Sequence, residues 1–133
     1  MTWLSRFAPQ LQSLLRVISG LMFFEHGTQK VFGFPPLPEA MAHMHVPDQF
    51  KPVLMTAALI EVVTGTLITF GLFSRWAAFI ASGEMAIAYW LGHAMMGKSF
   101  FPATNGGDAA VLFCFVFLYL AAAGPGKYAV NQK

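Results

Sequence analysis

Charge is what this sequence has least of. Eight Lys and Arg and six Asp and Glu make up 11% of its 133 residues, where an ordinary soluble domain carries about 25%. So few charged groups cannot cover the apolar surface of a chain that is 56% hydrophobic, with fourteen Phe, eight Met and a mean hydropathy of +0.58. The balance argues against a soluble globule and against disorder, which needs low hydrophobicity and high charge. Cysteine is nearly missing: Cys114 alone permits no internal disulfide, no CxxC redox pair and no cysteine-built zinc site. No basic run exists, and a net charge of +2 offers nothing to hold nucleic acid. The length leaves room for one domain. These numbers ask for a lipid bilayer as the solvent and partner.

What is present is four apolar segments, about 11–34, 52–73, 76–97 and 108–124, separated by Pro, Gly and charge. Pro35, Pro36 and Pro38 stop the first, Ser74-Arg75 breaks the second from the third, and Gly124-Pro125-Gly126 closes the last. Each is long enough, at roughly 17 to 25 residues, to cross the hydrocarbon as a helix. A soluble four-helix bundle would show a polar face on each helix, and the stretch from Trp76 to Trp90 has none. The expectation is an all-α, four-transmembrane-helix bundle in a single domain. Arg6, Arg16, Arg75, Lys127 and Lys133 lie toward one side, against Lys30, Lys51 and Lys98 diluted by Glu39, Asp48 and Asp108. That bias places both termini in the cytoplasm of a bacterial-type inner (plasma) membrane. The N-terminus is read as retained, because Glu25, His26 and Lys30 interrupt its apolar stretch and no small-residue cleavage site follows. Trp3, Phe7, Phe50, Trp76, Phe100, Phe101 and Tyr128 fall near predicted helix ends, where an aromatic belt belongs.

Three of the segments hold a carboxylate near their middle: Glu25, Glu61 and Glu84. In hydrocarbon a carboxylate costs at least about 2.5 kcal/mol, so it must pair, protonate or face a wet cavity. Stepping about 100° per residue, Arg16, Gly20, Phe23, Gly27 and Lys30 share a face of the first helix, with Glu25 pointing nearly opposite, toward another subunit of a homo-oligomer. Glu61, Gly65, Ile68 and Leu72 share a face of the second, and Glu84, Ala88, Leu91 and Met95 a face of the third. An interior polar cluster follows, with Glu61 and Glu84 at mid-membrane and Arg16, Lys30 and His26 as cationic or donor partners. Two readings stay open: a ligand or proton site, or buried ion pairs that fix helix register. A di-iron centre needs Glu-x-x-His pairs, and neither Glu25-His26 nor Glu84 with His93 has that spacing. Met41-Ala42-His43-Met44-His45 offers soft and imidazole ligands for copper, but reads better as an interfacial helix whose Met residues dip into lipid. Cys114 reads as an inert core thiol. No haem-ligand pair, flavin motif or nucleotide loop is found.

Arg16-x-x-x-Gly20, His26-Gly27-x-Gln29-Lys30-Val31-Phe32-Gly33, Glu61-x-x-x-Gly65, Gly71-Leu72-Phe73-Ser74-Arg75 and Gly124-Pro125-Gly126-Lys127-Tyr128 carry a resemblance by their order and spacing. Over nearly its whole length the sequence resembles the DoxX family of small four-helix membrane proteins. The resemblance implies membrane subunits of quinone-linked oxidoreductases, thiosulfate:quinone oxidoreductase among them, and membrane partners in redox-stress complexes. On that reading the chain binds a quinone and works beside a redox partner subunit, as a module rather than a complete enzyme. Arg16, His26, Lys30, Glu61 and Glu84 would line the cavity, with Glu61 or Glu84 protonatable and His26 or Lys30 the donor. The competing class is a non-enzymatic anchor, assembly factor or lipid-binding module whose buried charges are architectural. A small-solute or proton carrier is disfavoured, since paired broken helices are missing.

Overall fold

The computed structural model describes residues 2–39 and 46–131, so the Met- and His-bearing stretch at 41–45 lies outside the described residues. Among those residues all regular structure is helical and no strand occurs. In chain order the helices are α1 (Thr2–Ser5), α2 (Ala8–Phe32), α3 (Lys51–Phe70), α4 (Ser74–Ile87), α5 (Pro102–Asn105) and α6 (Asp108–Ala123). A 3-10 turn, Asp48–Phe50, leads into α3, and α4 runs on as a π-helix through Ala88–Met95. The short α1 and α5 have too few residues to leave a periodic signal in the sequence.

Local chemistry sets the ends. Pro sits in the first turn of both α2 and α3, where its missing N–H is no loss and its fixed φ suits the helix. At the far end of α3, Gly71 adopts φ 70°. Its N–H bonds Ile68 O at 3.0 Å, and Leu72 N–H bonds Leu67 O at 2.9 Å. This left-handed exit satisfies two carbonyls that the helix itself cannot.

The long helices assemble as two antiparallel pairs, α2 with α3 and α4 with α6, joined where α3 meets α4. The α2–α3 pair is set by glycine. A Cβ on Gly65 would stand 2.7 Å from Phe24 N, and one on Gly27 would stand 2.8 Å from both Ala58 O and Val62 N. Hydrogen in place of a methyl is what lets these two backbones approach so closely. Phe23 reaches across to α6, its ring 4.8 Å from Phe117 and 5.6 Å from Phe113. With Ile68, Met85 and Leu120, these rings fill the core between the pairs.

One expectation is met in part, and a second meets a different outcome. Among the described residues one helix, Asp48–Phe70 with its 3-10 lead-in, is long and apolar enough to cross a membrane on length and composition. The apolar α6 is shorter, at 16 residues. Arg16, Glu25 and Lys30 lower the hydropathy of α2, and α4 passes into the π-helix after 14 residues. The difference is the face of the third segment. Met85 and Tyr89 are buried, whereas Leu91 and Met95 are exposed. The wider i→i+5 turn rotates every residue beyond Ala88 away from the position an α-helical wheel assigns it.

The glycine contact predicts its own test. Gly65→Ala should lower stability by about 1–3 kcal/mol through overpacking. Gly83→Ala, whose Cβ meets nothing within 4 Å, should leave it unchanged or raise it by roughly 0.4–1 kcal/mol. Thermal unfolding of the two variants in the same detergent checks the contrast.

Candidate functional site

Three of the five residues expected to form an interior cluster come together. Lys30, near the end of α2, reaches back along its helix to donate to Glu61 Oε1 on α3. Glu61 is 1% exposed, while the Lys30 side chain retains 37%. Glu84 on α4 lies half-buried and within electrostatic range of both. Its two carboxyl oxygens and Glu61 Oε2 are shielded from solvent and accept no hydrogen bond from the described residues. The ammonium is paired with one of the two carboxyl groups, and three buried acceptor atoms are left over. Such atoms are costly unless something supplies a proton or a donor. Chemically the arrangement can hold a proton, or accept hydrogen bonds from a guest that carries its own hydroxyl.

Arg16 lies elsewhere. It sits 14 residues before Lys30, about 21 Å along α2, and is 2% exposed. Its Nη1 donates to Ile68 O at 2.9 Å and Thr69 O at 2.8 Å, and its Nη2 donates to Tyr128 O. The guanidinium thus caps the C-terminus of α3, where unsatisfied carbonyls carry partial negative charge. It also ties the chain's C-terminal segment to that end. Further bonds complete the clasp: Gln12 Nε2 to Gly124 O at 2.6 Å, Tyr128 N to Ser13 Oγ at 3.0 Å and Val130 N to Phe70 O at 3.1 Å.

His26 is also apart from the cluster. Its ring meets the Phe113 ring edge-on at 5.9 Å, and it borders a small cavity of about 90 Å³ with Met22, Glu25, Gln29 and Pro35. Glu25 is exposed on the face of α2 turned away from α3. Among the described residues no group of three or more His, Cys, Asp or Glu is placed to hold a metal ion.

Arg75 plays a part the sequence reading missed. Its Nη1 donates to Ala121 O at 3.0 Å and Ala122 O at 2.6 Å, capping α6 as Arg16 caps α3. The signal was there: Gly124-Pro125-Gly126 announces a helix end whose carbonyls need donors, and an Arg opens the neighbouring antiparallel helix. Ser82 Oγ, donating to Cys114 O at 2.8 Å, locks α4 to α6 in the same way. At the other end of the molecule Tyr89 OH donates to Phe100 O, and His93 Nδ1 lies 3.3 Å from Asn105 O.

Fold and site together define a class: an all-helical protein with arginine-capped helix ends and a charged cluster among apolar helices. The DoxX family model matches residues 11–94. A Haemophilus influenzae protein named only "Uncharacterized protein" is 40% identical over 131 residues, which is 98% of this chain and 95% of that one. The chain belongs to the DoxX family. No solved structure matches it.

The capping role makes Arg16 a stability residue. Arg16→Gln should cost roughly 3 kcal/mol, as several charge-assisted bonds to carbonyls are lost. Arg16→Lys should recover only part, because an ammonium cannot span the fork. Thermal unfolding, with protease sensitivity of the C-terminal segment, measures both.

Proposed function

We propose that this chain is a multi-pass integral protein of a bacterial-type inner membrane, folded as four transmembrane helices with both termini in the cytoplasm. Its role is that of a quinone-binding module or membrane subunit serving a quinone-linked oxidoreductase system, with a partner protein supplying the redox centre. The membrane reading is supported by the shortage of charge and by the free faces of the helices, which carry Leu14, Ile80, Ile87, Leu112 and Phe115 at half exposure or more. Trp3, Trp76 and Tyr128 at one end, and Phe100 and Phe101 at the other, are each at least 60% exposed, as aromatic belts require. Family membership adds to it.

The observation that carries the quinone reading is the set of three buried carboxyl oxygens without donors, on Glu84 and Glu61 beside Lys30. A bound quinone supplies a lipid-soluble carrier of two electrons and two protons. Toward the reduced quinol form, Glu84 accepts a hydrogen bond or a proton from a quinol hydroxyl at its free oxygens. Lys30 offers a donor from the more open side of the pair, and Glu61 holds that ammonium in place. Arg16 and His26 take no part: the first is spent on helix capping, and the second faces Phe113.

A second reading has its own support. Lys30–Glu61 joins α2 to α3, and Arg16 and Arg75 each bind one helix to another. All of these would serve a purely architectural anchor or assembly module. The two readings part at Glu84, whose carboxyl ties nothing together.

Glu84→Gln should therefore leave thermal stability unchanged or higher. It should also lower the quinol retained by protein purified gently under reducing conditions at least about tenfold, the loss expected for one charge-assisted hydrogen bond. Mass-spectrometric quinol counts per chain decide it. Near one per chain in the wild type and background in Glu84→Gln supports the module. Background in both, together with an unfolding temperature that falls in Glu61→Gln, supports the architectural anchor.

A further inference from the structure

The face of α2 turned away from α3 has an order of its own. Leu11, Leu14, Ile18, Leu21, Glu25 and Phe32 stand along it at alternating steps of three and four, with Thr28 completing the last interval. Its five apolar members are between 45% and 74% exposed. The residues that α2 gives to its own bundle, among them Ser13, Arg16, Gly20, Phe23 and Gly27, lie on the opposite side. A 3-4 spacing kept over three heptads is the seam of a left-handed helix pair.

Lipid alone would cover a purely apolar seam, but Glu25 interrupts it. The other carboxylates inside the long helices are withdrawn from the surface, Glu61 wholly and Glu84 in part, whereas Glu25 is exposed well inside α2. An ionisable side chain on a lipid-facing surface calls for a protein partner. Around it the surface is concave. Leu21, Phe24, Glu25, Thr28 and Phe32 line a groove of about 500 Å³, and the smaller cavity bordered by His26 and Gln29 opens on its other side.

We propose that this seam pairs α2 with α2 of a second copy of the same chain, in a parallel two-fold dimer. Every copy inserts in one orientation, so a two-fold axis along the membrane normal brings each seam residue to its own counterpart. Glu25 then meets Glu25 of the second copy, and the Thr28 hydroxyls follow one turn on. Thr28 Oγ1 already donates to Glu25 O of its own helix at 3.1 Å, and where one Glu25 carboxyl is protonated it donates to the facing carboxylate, so the seam answers its own hydrogen-bonding needs without a foreign partner. A single polar position in an apolar seam is also the device that fixes register in helix pairs. Leu21 and Phe32 on each copy supply the knobs for the facing groove. The inference rests on the membrane reading and is independent of the quinone site.

Cysteine cross-linking in native membranes tests it. In a Cys114→Ser background, Leu14→Cys and Leu21→Cys are placed on the seam, with Leu112→Cys, exposed on α6, as the control. Mild oxidation of the carbonate-washed membrane fraction should give a disulfide-linked band of two chains from either seam variant, several-fold stronger than from the control. Two positions guard against one variant failing to accumulate. Equal yields from seam and control overturn the proposal, as does a seam band that contains a different protein. Absence of the chain from washed membranes overturns the membrane reading beneath it.

Discussion

The close approach of α2 and α3 is the constraint on which the rest of the structure depends. A Cβ added at Gly27 or Gly65 would stand within 3.0 Å of the facing helix's backbone. The polar groups of one helix are thereby within reach of the other. Lys30 can turn back to Glu61, and Arg16 can reach the carbonyls that end α3. A pair held a methyl group further apart would leave both cations without partners in an apolar interior. The charges are affordable here because glycine makes the distance short.

The cations then divide by what they bind. Arg16 and Arg75 point at backbone carbonyls at one end of the molecule, where two helix C-termini and the returning C-terminal segment meet. The planar guanidinium suits this task, since one group can serve several carbonyls at once. Lys30 instead meets a carboxylate deep in the bundle. Beside that pair Glu84 is a group with no structural duty: its carboxyl joins no two elements. Natural folds break the rule of satisfied buried polar atoms chiefly where function requires it. Arg16 Nε, Gln10 Oε1 and Ser74 Oγ at the arginine end are also buried without a partner among the described residues, so what sets the centre apart is that three of its four carboxyl oxygens are unpaired, two of them on a side chain that joins no elements.

Much of this was legible in the sequence. The shared face of Arg16, Gly20, Phe23 and Gly27, and that of Glu61, Gly65 and Ile68, are buried as the helical wheel requires. Regular α-helix carries its geometry in its spacing. The partner of Arg16 was not legible, because bonds to carbonyls involve no particular side chain and leave no trace in residue identity. A carboxylate was the natural expectation, and the helix end proved nearer. The face of the third segment was misjudged beyond Ala88, since nothing in Ala88-Tyr89-Trp90-Leu91 announces a π-helix. Likewise, the seam on α2 gains meaning only when its opposite face is seen to be occupied.

Photoaffinity labelling with an azidoquinone tests the central claim most directly. Membranes bearing the wild-type chain would be irradiated, and the adducts mapped by peptide mass spectrometry. The account predicts labelling on peptides carrying Lys30, Glu61 or Glu84, suppressed by excess natural quinone. Adducts confined to other segments, or labelling that natural quinone does not suppress, would contradict it.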